Sequence, residues 1–154
     1  MRNLGLLKWL VIGGVLALLT AGSVRAEDPY PHHAGLVVKF GDGSVRTACV
    51  DLGTDGVATG YDVLKGSGLS LVTQVNGSSI TICKVEQNGC NYPSDPCFCQ
   101  CLMHPGEQCI YWSYHHLVNS AWEYSVQGAG IYEVHSGDVE GWGWGVGTLN
   151  SSGT

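Results

Sequence analysis

Six cysteines, Cys83, Cys90, Cys97, Cys99, Cys101 and Cys109, crowd into one segment of this chain, with Cys49 alone upstream. Closely spaced cysteines read as a disulfide framework in an oxidising compartment and as metal ligands or redox groups in a reducing one. The N-terminus decides between them. Arg2 and Lys8 precede an uncharged apolar run, Leu10 to Leu19, and Val24-Arg25-Ala26 supplies a small-residue cleavage pattern. The run is shorter than the roughly 20 residues a spanning helix needs. Residues 1–26 are therefore expected to be a signal peptide, and the product to be secreted, extracellular or held in the cell envelope, with no stable membrane insertion after cleavage. No cysteine follows the cut site to carry a lipid anchor.

All seven cysteines are thus disulfide candidates. If Cys97-Phe98-Cys99-Gln100-Cys101 were extended, its alternation would point all three sulfurs to one side, so their partners should lie elsewhere. Cys83 and Cys109, which end and begin strands expected side by side, are the pair expected to clamp the base of the loop. The odd total leaves one thiol over, or gives it a partner on another chain or beyond this sequence. A zinc or cuprous site on the C-x-C-x-C run is the rival, weakened because no C-x-x-C pair occurs and export disfavours free thiolates.

The 154 residues are one domain's worth of chain. Charged residues make up 13% and glycines number 23, about half and about twice the usual shares, which argues against long amphipathic helices. Without residues 1–26 the chain keeps four basic side chains, Lys39, Arg46, Lys65 and Lys84, against thirteen acidic ones. That balance excludes the footprint of a nucleic-acid binder and the polybasic face of a membrane-surface protein.

Residues 27–34, with two prolines and no periodicity, read as an N-terminal tail. Leu36 to Phe40 and Val45 to Val50 flank Gly41-Asp42-Gly43, a hairpin signal. Thr59 followed by Asp62 resembles a capping box for a short helix with Tyr61, Leu64 and Leu69 on its apolar side, stopped by Gly66 and Gly68. Leu69 to Val75 and Ser78 to Cys83 surround Asn76-Gly77, a second hairpin. Residues 84–108 read as a long disulfide-held loop. Cys109 to His116, Ala121 to Val126, Ile131 to His135 and Val139 to Trp144 complete a strand-rich order, so the expected class is α+β with one short helix packed on a sheet face.

Eight aromatic residues lie between Tyr111 and Trp144, most in i, i+2 pairs. Trp112 with Tyr114, Trp122 with Tyr124, and Trp142 with Trp144 each share one face of their strand. If the strands are neighbours, these six residues form one aromatic surface and are the candidate ligand-binding residues. The bland reading makes them the core of a domain short of Leu and Ile. Gly141, Gly143 and Gly145 leave the opposite face of the last strand bare, open to close approach by a helix, a ligand or another backbone.

Cys109-Ile-Tyr-Trp-Ser-Tyr-His-His116, Ala121-Trp-Glu-Tyr-Ser125, Gly128-Ala129 and Ser136-Gly-Asp-Val-Glu-Gly-Trp-Gly-Trp144, together with Ala58-Thr-Gly-Tyr-Asp-Val-Leu-Lys-Gly-Ser-Gly-Leu69 upstream, resemble the transcobalamin C-terminal-like domains of exported bacterial proteins, a domain of unknown function. The match covers nearly all of residues 35–145. It implies a β-grasp-like sheet of hairpins with one helix over residues 35–147, the Cys-rich insertion at 84–108 being a departure from the cobalamin carriers, and residues 148–154 are expected to be a C-terminal tail. It also implies a soluble-ligand-binding role, since vertebrate relatives close over a corrinoid. A cobalamin-like ligand is the one cofactor it brings in, and these 154 residues are expected to hold no counterpart of the large helical domain that the carriers pair with this module.

No G-x-S-x-G, H-E-x-x-H or phosphate-binding glycine loop occurs, so the chain is not expected to be an enzyme. His115-His116 should alternate faces of a strand and His32-His33 fall in the tail, and neither pair is expected to ligate a metal. Asp51, Gly53, Asp55, Gly56 and Asp62 imitate a calcium loop, but Gly53 cannot supply a ligand and no flanking helix precedes. The leading reading is a secreted, non-enzymatic module binding a corrinoid-like or other planar or apolar small molecule, with that ligand or an extracellular or membrane uptake protein as partner. The alternative is a disulfide-stiffened protein-interaction module with no small-molecule ligand.

Overall fold

The computed structural model describes residues 32–101 and 108–149. The expected signal peptide lies outside the described residues. Within them the chain is mostly strand with one α-helix, so the coarse α+β expectation stands.

Strand β1 (His33–Lys39) alternates buried and half-buried residues, and Ala34, Leu36 and Val38 face the core. It pairs antiparallel with β2 (Val45–Asp51). Between them Gly43 takes φ +85° and the Asp42 carboxylate accepts from the Ser44 amide and hydroxyl at 2.9 and 2.6 Å, a side-chain-closed turn. β1 begins two residues inside the segment expected as a tail, because Leu52 N–H bonds His32 C=O and His33 pairs with Asp51.

A short β3 (Val57–Thr59) leads into helix α1 (Gly60–Gly66). Thr59 Oγ1 accepts from Asp62 N–H at 3.1 Å and donates to the Asp62 carboxylate at 2.6 Å, so the cap acts as expected. Asp51, the first position of the calcium-like pattern, accepts from the Gly53 amide and closes its own turn. Val63 and Leu64 are fully buried, and Tyr61 and Leu69 pack beside them.

Strands β4 (Leu71–Asn76) and β5 (Ser79–Val85) form the second hairpin. The turn sits one residue later than the Asn-Gly pair implies: Asn76 pairs with Ser79, leaving Gly77 and Ser78 as the loop, with positive φ at Gly77 only. That is a glycine-first turn, not an Asn-Gly one. β5 then continues to Val85, turns through Glu86-Gln87 and pairs with β6 (Asn88–Gly89). Gly89 is required there, since its φ is +130° and a Cβ would collide with the Cys83 carbonyl. The start of the expected loop is therefore sheet.

Strands β7 (Tyr111–Val118), β8 (Ala121–Tyr124), β9 (Glu133–His135) and β10 (Val139–Gly145) complete the order. Asn119 and Ser120, both at positive φ, make the β7–β8 turn. The main sheet runs β2-β1-β10-β7-β8, with β1 and β10 parallel and the other pairs antiparallel. One face of it, carrying Leu36, Val38, Trp142, Tyr114 and Trp112, is buried beneath α1 and the β5 residues Ile82 and Val85.

The cysteines stand in three pairs at disulfide distance, Cys83–Cys97, Cys90–Cys99 and Cys101–Cys109. The expected Cys83–Cys109 clamp is wrong. β6 and a 3₁₀ turn at Cys99–Cys101 fold the segment back on β5, and Cys97 comes within a Cα separation of 4.5 Å of Cys83. Cys97, Cys99 and Cys101 each find a partner elsewhere, as expected, although the run closes in a 3₁₀ turn instead of extending. Cys49 is the odd thiol, free and exposed on β2.

Candidate functional site

The six candidate aromatic residues do not share one surface. The register pairs Trp142 with Tyr114 and Trp144 with Trp112, so these four rings lie on the core face. Tyr114 and Trp142 stack at 4.7 Å between centroids, Trp112 meets Trp144 at 5.5 Å and Phe40 edge-on at 5.7 Å. Trp112, Tyr114 and Trp142 are buried, and Trp144 is half-buried at the rim. Trp122 and Tyr124 pair with Leu117 and His115 and point to the other face. There the bare strand is approached closely by the chain itself, because Trp122 and Leu149 cover Gly141 and Leu149 covers Gly143. Leu149 is buried in that position, within the segment expected as a tail. Register separates the pairs: β8 meets β7 with its aromatic positions opposite the odd-numbered residues of β7.

Four of the six nonetheless line one feature. β8 covers β7 only from His115 to Val118, so Tyr111 to Tyr114 form an open edge beyond the point where Ser125 N–H bonds Tyr114 C=O. An open groove of about 240 Å³ lies there, between β5, β7 and the loop after β8. Its floor is Trp112, Tyr114, Trp142 and Ile82, and its rim carries Phe98, Tyr111, Tyr124, Ser79, Thr81 and Gln127. Phe98 and Tyr124 are 46% and 53% exposed, so their rings are reachable without any rearrangement.

Phe98 and Tyr111 stand outside the six residues that the strand alternation groups. Phe98 sits between Cys97 and Cys99, each bonded to a different partner, so the disulfides fix the backbone that presents its ring. Tyr111 meets it edge-on at 6.2 Å and its hydroxyl lies 3.5 Å from that of Tyr124. The signal was the Cys-Phe-Cys sequence itself, an apolar ring with no helical or strand period to bury it.

Among the described residues, no charged one lines the groove. The Tyr111 hydroxyl is pushed up to about 12 by its hydrogen bond with Tyr124 and by burial. Burial, with the hydrogen bond to Glu140, raises Tyr114 well above the ordinary phenol range. Both phenols stay neutral at physiological pH.

Tyr114 also anchors a buried polar cluster behind the floor. Glu140, 1% exposed, accepts from the Tyr114 hydroxyl, and His116 Nδ1 stands 2.9 Å from the same carboxylate oxygen. The His116 ring stacks on Tyr132 at 3.7 Å. Burial raises the Glu140 carboxyl above its usual range, against the opposing pull of Tyr114 and His116. His115 points to the opposite face, as alternation requires, with Nε2 2.9 Å from Ser113 Oγ, and burial lowers it. The cluster holds the Tyr114 ring in place by its hydroxyl. Among the described residues no three His, Cys, Asp or Glu side chains gather in a metal-binding group.

No family model matches this chain, and no curated protein matches it. Among the described residues, no helix is long and apolar enough to cross a membrane.

Proposed function

We propose that this chain is a secreted, non-catalytic ligand-binding module that takes a small molecule with a flat apolar face in the groove along β7. The observation that carries the reading is the groove itself: fixed aromatic walls, a packed floor and a few neutral polar groups converging on one open cleft. Three disulfides suit an oxidising compartment and support secretion. We further read the sheet as a β-grasp variant related to the transcobalamin C-terminal-like domains. The order β2-β1-β10-β7-β8 with a parallel central pair and one helix across it supports this, alongside the motifs of residues 58–69 and 109–144.

The test is a fluorescence titration of the exported protein with corrinoids, haem and simple glycans. A saturable change in tryptophan emission with at least one of them is expected, because Trp112 and Trp142 form the floor. Absence of any response across the panel overturns the reading. A second reading, a disulfide-stiffened protein-interaction module, is favoured by Val126 and Ile131, which stand 98% and 56% exposed around the same loop. A protein partner that binds competitively with none of these ligands would transfer the function to it.

A further inference from the structure

We propose that the ligand of the groove is an uncharged saccharide chain, with Phe98, Tyr111 and Tyr124 stacking on sugar faces. This rests on the ligand-binding reading and names the class of ligand. A pyranose ring has an apolar face of C–H groups and a girdle of hydroxyls in its plane. A site for it therefore joins reachable aromatic rings to small neutral hydrogen-bonding groups.

The groove holds both kinds of group side by side. Phe98 and Tyr124 are about half exposed, and Tyr111 links them by an edge-on ring contact and a hydroxyl approach. The side chains of Ser79, Thr81 and Gln127 on the same rim have no hydrogen-bond partner among the described residues, so their donors and acceptors are available to a ligand. The Trp142 indole N–H is buried and has no acceptor among the described residues.

Two further facts narrow the class. Among the described residues no charged side chain lines the groove, while the chain as a whole is acidic, so an anionic ligand finds no counter-charge among them and meets a repelling field. The cleft is open, so a ligand that lies along its rim suits it better than one that must be enclosed. A saccharide chain laid against the rim rings has that form. The rings need little ordering on binding, since disulfides on both sides of Phe98 have already restricted its backbone.

Calorimetric titration of the disulfide-bonded protein with the neutral tetrasaccharides cellotetraose and chitotetraose tests this, with haem, cyanocobalamin and tetragalacturonate as comparison ligands. Saturable binding of a neutral tetrasaccharide is expected, weakened at least fivefold by Tyr124→Ala and by Phe98→Ala, with tetragalacturonate binding more weakly. Binding of haem or cyanocobalamin with neither neutral saccharide overturns this inference and leaves the broader ligand-binding reading standing. No binding of any ligand overturns both. Saccharide binding unchanged in both variants overturns the assignment of the rings, and tetragalacturonate binding as tightly overturns the neutral class.

Discussion

The five-stranded sheet and the Cys-rich hairpin unit beside it are held by different physics. On the main sheet Leu36, Val38, Trp112, Tyr114 and Trp142 lie on one face under α1, and their removal from water sets the register. From Glu86 to Cys101 the buried residues are only Cys90 and Cys97. That stretch removes too little apolar surface from water to offset its ordering entropy, and its crosslinks restrict the unfolded chain instead. The same molecule relies on burial where a sheet face is covered and on covalent bonds where little apolar surface is buried, and the groove runs along the seam between the two.

The largest expected effect strikes the first mode. Trp142→Ala removes a buried ring stacked on Tyr114 and should cost about 3 to 5 kcal/mol, read by urea unfolding. A loss below about 1 kcal/mol would mean that the ring is not core.

Breaking the second mode comes next. Replacing Cys83 and Cys97 together by serine opens a closed loop and should cost about 3 kcal/mol. Binding at Phe98 should weaken as well, whereas Trp142→Ala in any folded fraction damages the floor. If the double variant melts like the wild type, the hairpin unit is held by packing after all.

The pH dependence sharpens the comparison within the main sheet. The Glu140 carboxyl sits above its usual range in the folded chain, so the native state binds this proton more tightly than the unfolded one. The stability contributed by that group is fully present below the ordinary carboxylate range and is lost as pH rises through the raised folded value. Glu140→Gln should therefore gain relative to wild type between acidic and neutral pH, with a flatter profile in pH-dependent denaturation. A variant that follows the wild-type slope would show that the cluster does not govern it.

The smallest effect belongs to Cys49. Exposed and unbonded on β2, it should tolerate serine within about 0.5 kcal/mol. Thiol titration of the native protein should find one reactive group, absent from Cys49→Ser.

The candidate site was partly legible in advance. Tyr114, Trp112, Trp142 and Tyr124 line the groove, but Phe98 and Tyr111 were missed and Trp122 and Trp144 lie outside it. A ring's place in the two-residue alternation tells which neighbours share its face within one strand. It does not tell which of two faces meets the next strand, and that choice put Trp122 over Gly141. The Tyr114–Glu140–His116 cluster escaped for the same reason, since its members lie on two strands and Glu140 reads alone as a surface carboxylate.

What this sequence determined by itself is everything that acts over a few residues. The Gly41-Asp42-Gly43 hairpin, the Thr59–Asp62 cap, the β4–β5 reversal and the opposite facing of His115 and His116 follow from backbone sterics and from side chains bonding their own neighbours. The tertiary structure alone decided the partners. Cys83 took Cys97 instead of Cys109, β1 joined β10 in parallel across the whole chain, and Glu140 met Tyr114 and His116. Such pairings are chosen by competition among distant segments for the same buried space, and no local pattern carries the identity of the winner.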